Sequence, residues 1–207
     1  MKLDRMGWIV AAGLAGAMFG MGMQSQTPKF ANVDMAKVFD ESDLTKSSNG
    51  DLQAYQKDRV DVLQFLQQNL AMKPDDAQKF ADLSLKSPRT AAEDAELKRI
   101  RADADQASTL QRGLMTKQNA TAQDNATMAQ YRTNEEANNE LGKVLEQRYE
   151  ADIQNKRQQL HDQAMEKVRD AVADVARKQQ YTIVFGADAA PFASNDLTAD
   201  ALKVVKK

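Results

Sequence analysis

The chain has 207 residues with 28 basic and 30 acidic side chains, a formal net charge of −2, and only 6% aromatic residues. It has no cysteine and a single histidine, which excludes disulfides, thiolate catalysis, cysteine-type zinc sites and a multi-histidine metal centre within one chain. The balanced charge indicates no nucleic-acid partner. A high share of charged residues with few aromatic ones favours long helices with a narrow apolar seam.

The first 23 residues have the pattern of an export signal. Lys2 and Arg5 precede an uncharged, mostly apolar stretch at residues 6–23, and small residues near its end suit signal cleavage. The same stretch is long enough to span a bilayer, so it is alternatively an uncleaved anchor that holds the protein at the membrane. We therefore expect an exported, periplasmic protein whose residues 1–23 are a signal peptide or an N-terminal anchor.

Residues 24–50 predict a strand followed by the start of a helix. The strand is expected at residues 29–34, and Asp34 is placed to cap the helix that follows. The Ser-Ser-Asn-Gly sequence at residues 47–50 is typical of a turn, which would close this first part of the chain.

Residues 51–180 predict a long helical hairpin. A helix is expected over residues 52–72, Pro74 and Pro88 suit the starts of further helices, and the sequence from Thr90 to Glu93 fits a capping box. Apolar residues spaced by three or four then form seams on both sides of a more polar centre. Because the two ends must return to one body, we place the tip near residues 113–126. Each side would hold roughly 60 residues, or about 90 Å of helix.

Residues 181–207 predict the rest of a small β body. Strands are expected at residues 181–185 and 191–194, and a short helix at residues 197–205 capped by Asn195 or Asp196. The fold class is therefore mainly α with a small β body. Strands this short do not make an independent sheet, so partner subunits are expected to complete it. The expected core of the body comprises Val33, Met35, Val38, Phe39, Tyr181, Ile183, Phe185, Phe192 and Leu197.

The apolar signal fades between Gly113 and Asn139. The larger apolar side chains there, Leu114, Met115, Met128 and Tyr131, are either adaptable contacts for a bound polypeptide or spacers in a weak seam. His161 falls on a polar helix face, and no catalytic constellation is evident. We therefore expect no enzyme and no cofactor.

Three segments carry a resemblance to a known family. Residues 32–39, Asn-Val-Asp-Met-Ala-Lys-Val-Phe, and residues 175–185, which end in Tyr-Thr-Ile-Val-Phe, resemble the Skp/OmpH family of periplasmic chaperones. Residues 192–200, with the run Ala-Ser-Asn-Asp-Leu-Thr, are similar to its closing segment. The resemblance implies a homotrimer whose strands share a barrel-like body and whose helical arms enclose unfolded outer-membrane proteins without ATP or a cofactor.

Two other classes of protein share part of this pattern. An envelope adaptor combines an N-terminal anchor, a helical hairpin and β structure, but it has longer β regions than the few residues found here. A coiled-coil structural spacer would need no strand-rich C-terminus. The sequence therefore favours a holdase, a chaperone that binds unfolded clients without chemistry.

Overall fold

A computed structural model of the protein describes residues 28–190 and 194–205. The predicted signal or anchor segment and Phe192 lie outside these residues. The described part of the chain is mainly helical and has two short strands. In chain order, its elements are β1 (Phe30–Val33), α1 (Met35–Asp40), α2 (Asp43–Gln68), α3 (Pro74–Ser84), α4 (Ala91–Met115), α5 (Ala122–Lys178), β2 (Ile183–Gly186) and α6 (Thr198–Val205).

Strand β1 forms the centre of the small sheet. It pairs in parallel with β2, so that Asn32 lies opposite Phe185. On the other side of β1, the backbone N–H of Asn32 donates to the carbonyl of Asn195 at 2.8 Å, and the N–H of Leu197 donates to the carbonyl of Asn32 at 2.9 Å. The segment 195–197 thus lies beside β1. The second strand predicted at residues 191–194 lies mostly outside the described residues.

The body packs this sheet against α1, α6 and the end of α5. The Asp34 carboxylate accepts a hydrogen bond from the backbone N–H of Lys37 at 2.9 Å, which confirms the predicted cap of α1. The core of the body is formed by buried aliphatic side chains. They are Ala31, Val33, Val38, Val168, Ala171, Val172, Val175, Ala176, Leu197, Ala201, Leu202 and Val205.

Helix α5 ends in a left-handed turn that directs the chain into β2. Gln180 has a φ of 60°, the conformation that glycine normally supplies at this position. The N–H of Tyr181 donates to the carbonyl of Ala176 at 2.9 Å, and the N–H of Gln180 donates to that of Arg177 at 3.1 Å. These two bonds define a Schellman motif, which satisfies carbonyls that the helix end leaves unpaired.

Helix α2 begins earlier than the sequence pattern predicts. Ser42 is fully buried, and its hydroxyl accepts a hydrogen bond from the N–H of Thr45 at 3.2 Å as the N-cap. The helix then continues through residues 47–50, so the turn predicted there is wrong. Local turn preference is weak compared with packing along a neighbouring element. Here α2 lies along α5, and Leu44 packs against the body core.

The helical hairpin, called the arm here, runs from α2 to α5. Its outward side is made of three helices that are separated near Pro74 and Pro88, as the sequence predicts. Helix α2 ends at Gln68, and α3 starts at Pro74 and runs back along it, so that Ser84 lies beside the same small cavity as Asp58. Helix α4 then runs outward again and ends at Met115. The long helix α5, with 57 residues, forms the whole return path. The outward side is therefore thickened in its middle, because α3 folds back onto α2 instead of continuing outward.

Two asparagines of α5 hold the turn between α2 and α3. The side-chain amide of Asn138 donates to the backbone carbonyls of Leu70 and Met72, both at 2.8 Å, and that of Asn134 donates to the carbonyl of Ala71 at 3.0 Å. These bonds satisfy backbone carbonyls of largely buried residues. The core beneath them comprises Val62, Leu66, Met72, Ala77, Phe80, Ala81, Leu97, Ile100, Ala104, Leu145 and Tyr149.

The outer end of the arm is a short turn between two capped helix ends. Residues 116–121 connect α4 with α5 and fall inside the range 113–126 named for the tip. Thr121 and Asp124 form a capping box at the start of α5, in the same way that Thr90 and Glu93 do at the start of α4. The capping box predicted at Thr90 is thus confirmed.

Candidate functional site

The outer face of the sheet exposes three large apolar side chains. Phe30 is 46% exposed, Ile183 is 45% exposed and Phe185 is 40% exposed. The rings of Phe30 and Phe185 contact one another with their centroids 6.1 Å apart. Within the described residues, β2 has a strand neighbour on one side only. The body therefore presents an apolar face next to an open strand edge.

The structure divides the predicted core of the body into three groups. Val33, Val38 and Leu197 are buried within the single chain. Met35, Phe39 and Tyr181 are partly buried against this core. Ile183 and Phe185 lie on the exposed face, because β2 turns the side chain of Val184 towards the helices instead. Within one chain they are surface residues, and their place in a core between subunits stays a prediction.

The four residues predicted to contact a bound polypeptide lie at the outer end of the arm. Met115 is 63% exposed, whereas Leu114, Met128 and Tyr131 are partly buried. Leu114 and Met115 end α4, and Met128 and Tyr131 belong to the first turns of α5. Of the four, Tyr131 lines a cavity.

That cavity, of about 670 Å³, lies between the start of α3, the middle of α4 and the start of α5. It is partly open to solvent. Its apolar lining comes from Ala71, Met72, Ile100, Ala104, Ala107, Leu110 and Tyr131. Its polar lining comes from Lys73, Asp75, Asp76, Asp103, Gln106, Gln130 and Asn134. We call it the arm cavity.

Sequence reasoning missed the arm cavity. It placed Leu110 in the apolar seam of the helix and not among the residues expected to contact a bound polypeptide. The sequence signal for a cavity was the decrease in side-chain size along the apolar seam of α4, where Leu97 and Ile100 are followed by Ala104 and Ala107. Small side chains in a helix seam leave space unless a neighbouring element closes in. The position of α3, which forms the third wall, could not be read from that pattern.

A network of ion pairs fixes one rim of the arm cavity. The guanidinium of Arg99 lies 2.7 Å from Asp76, 2.9 Å from Glu96 and 2.5 Å from Asp103. Hydrogen bonds with Glu96 and Asp76 raise the pKa of Arg99 above its usual range, and the Arg99 side chain lowers the pKa of Glu96. The network ties α3 to α4, because Asp76 belongs to α3 and the other three residues belong to α4.

The outer face of the sheet is apolar, and the arm cavity combines an apolar lining with charged and amide side chains. In the part of the chain that the structure describes, no group of three or more acidic or histidine side chains could hold a metal ion. No helix among the same residues combines the length and the hydropathy needed to cross a bilayer.

The chain matches a model of a known protein family. The family model described as outer membrane protein (OmpH-like) matches residues 94–205, which is more than half of the chain. No curated protein matches the chain. The matched range runs from the first turn of α4 to the end of α6, so it includes the outer arm, the whole of α5 and the C-terminal part of the body.

Proposed function

Because the chain belongs to the OmpH-like family of outer membrane proteins, whose known role is chaperoning outer-membrane proteins, we propose that it is an ATP-independent holdase of the periplasm. It would bind unfolded outer-membrane proteins between its helical arms and keep them from aggregating. The observation that carries the proposal is the family match over both arm and body.

The described side chains support this proposal through their exposed apolar surface. Leu110 and Met115 are 47% and 63% exposed near the outer end of the arm. An unfolded β-barrel protein has long apolar strand segments with unpaired edges, which associate with one another unless they are covered. Many weak apolar contacts along the arms would cover such segments and leave the client mobile.

A homotrimer would give the arms a common base. Phe30, Ile183 and Phe185 expose apolar surface beside the open edge of β2. A two-stranded sheet with such a face is only marginally stable in water, and it gains stability when further strands or subunits cover it. We propose that copies of this chain meet there, and that Phe185 lies in the core that they share.

Light scattering after dilution of an outer-membrane β-barrel protein from urea tests the holdase proposal. We expect the protein to suppress aggregation without nucleotide or metal when it is in excess over the client. If apolar contacts dominate, raising salt to physiological strength should change the suppression only slightly, since screening acts on exposed charges. No suppression at any excess would contradict the holdase. Suppression that is lost in moderate salt would contradict the apolar mechanism alone.

A further inference from the structure

We propose that the arm cavity binds an extended segment of a client polypeptide in which a large apolar side chain is followed by a basic one. The apolar side chain would lie on the floor between α4 and α5, and the basic one would lie beside Asp75. That the segment belongs to an unfolded outer-membrane protein rests on the proposed function. The choice of an apolar and basic segment rests on the cavity itself.

The floor of the arm cavity is apolar and buried. Ile100 and Ala104 have no exposed surface, and Met72 is 3% exposed. Asn134 fixes the wall at Ala71 through the hydrogen bond to its carbonyl. A volume of about 670 Å³ falls within the range of roughly 300–1,000 Å³ that is usual for specific ligand sites. The arm cavity is therefore large enough for more than one side chain of a peptide.

The arm cavity continues into the exposed apolar surface of the outer arm. Leu110 is 47% exposed and forms part of the lining, as does the partly buried Tyr131. Because the arm cavity is partly open to solvent, a chain can pass across it with its ends free. This arrangement suits a segment inside a long unfolded chain better than a fully enclosed small molecule.

The charged lining of the arm cavity favours a basic side chain next to the apolar side chain of the bound segment. It has three carboxylates, those of Asp75, Asp76 and Asp103, against the single ammonium group of Lys73. Asp76 and Asp103 share the guanidinium of Arg99. Asp75 is exposed, and within residues 28–190 and 194–205 it takes part in no salt bridge. A basic side chain of the client would complete this rim.

Part of the arm cavity comes from outside the matched range of the family. Residues 71–76 precede residue 94, whereas the walls from α4 and α5 follow it. The start of α3 supplies Asp75, and the turn before it supplies the apolar side chain of Met72. The residues proposed to select apolar and basic segments therefore come from two sources. One is α3 with the turn before it, which precedes the matched range, and the other is the pair of OmpH-like helices α4 and α5.

Fluorescence anisotropy with two labelled, end-blocked peptides tests the proposal on the full chain. One peptide is Gly-Phe-Leu-Arg-Gly-Ser, and the other has glutamate in place of arginine. We expect the arginine peptide to bind roughly two- to fivefold more tightly, because a partly exposed ion pair contributes about that factor. Asp75→Asn should remove the difference between the peptides, and Asp51→Asn on α2 should preserve it.

Filling the arm cavity tests its apolar part. Ala107→Phe should weaken binding of both peptides by roughly tenfold, since a bound aromatic side chain would lose its place. Val144→Phe is the matched control, because Val144 is 54% exposed on α5 and does not line the cavity. Circular dichroism checks that both variants fold. Asp75→Asn is at an exposed position and provides an independent test if Ala107→Phe does not fold.

The outcomes separate this proposal from the holdase function. Absent peptide binding, equal affinity for the two peptides, or unchanged binding after Ala107→Phe would overturn the proposal, even if the wild-type protein suppresses client aggregation. Displacement of both peptides by dodecanoate, without any preference for arginine, would also overturn it and identify an acyl-chain site. Cavity-dependent peptide binding without suppression of aggregation would support the site and contradict the holdase.

Discussion

The ring of Phe80 on α3 stacks on the ring of Phe65 on α2, with their centroids 3.9 Å apart. Phe80 is 1% exposed, and the guanidinium of Arg101 on α4 lies 5.0 Å from its ring centroid and 5.2 Å from that of Phe65. Three helices of the outward path therefore meet at one aromatic pair. The contact fixes α3 in the middle of the arm, where it forms a wall of the arm cavity.

Replacing Phe80 by alanine should destabilise the arm. Removing a buried aromatic side chain leaves a cavity and costs about 3–5 kcal/mol. Urea unfolding followed by circular dichroism measures the change. Val60→Ala is the control, because Val60 is 56% exposed on α2 and its loss should change the free energy of unfolding by less than about 0.5 kcal/mol. Equal effects of the two substitutions would contradict the described packing of α3.

Phe185→Asp should disrupt the assembly without unfolding the single chain. Phe185 is 40% exposed in one chain, so a carboxylate there stays hydrated in a monomer. In a core shared between subunits the same carboxylate would be buried without a partner, which is costly. Sedimentation equilibrium on the chain from Gln24 onward should give a trimer for the wild type and a folded monomer for the variant.

Two charge variants of the arm serve as controls for the assembly. Val60→Asp introduces the same side chain on an exposed position of α2, and Lys143→Glu reverses an exposed charge of α5. Both should assemble like the wild type. A Phe185→Asp variant that also assembles normally would remove Phe185 from the proposed interface between subunits.

Gln180→Gly should stabilise the protein. Gln180 has a φ of 60°, which glycine adopts without the steric cost that a side chain incurs. We expect a gain of about 0.4–1 kcal/mol in the free energy of unfolding. Gln179→Gly should instead lower the free energy of unfolding, because Gln179 has a φ of −93° and its side chain donates a hydrogen bond to Asp200 at 2.8 Å. Thermal unfolding of the two variants distinguishes the positions.

Gly50→Ala should also stabilise the protein, for a different reason. Gly50 lies inside α2, and an added Cβ would meet no atom within 4 Å. Alanine in an exposed helix interior is favoured over glycine by about 0.5–1 kcal/mol. The same substitution in a turn with positive φ would destabilise. The sign of the change in urea unfolding therefore decides between a continuous α2 and a break at residues 47–50.

The carboxyl of Asp124 should titrate well below its ordinary range. Its hydrogen bond with Lys117, followed by those with Thr121, lowers its pKa from 3.8 to about 2. A folded-state pKa below the unfolded one means that the carboxylate stabilises the tip above pH 3.8, and that this contribution is lost as the pH falls towards 2. NMR titration of the Asp124 carboxyl measures the midpoint, which Lys117→Ala should raise. An unchanged midpoint in that variant would contradict the contact.

Several features of the molecule could be predicted from the sequence because they depend on residues that are neighbours in the chain. Asp34 caps α1, Thr90 and Glu93 close a capping box, and Pro74 opens α3. Each joins groups at most three residues apart, or depends on the ring of one proline. The ends of the chain also carried the residues by which its family was identified.

The sequence alone thus determined the helical class, the starts of α1, α3 and α4, and the family. Only the tertiary structure decided that α2 continues through residues 47–50, that α3 folds back onto α2, and that β2 turns Val184 inward and Phe185 outward. Each of these outcomes depends on side chains far apart in the chain, as when Asn138 of α5 holds the carbonyl of Met72. Burial against a distant element outweighs the small local preferences that a sequence pattern displays.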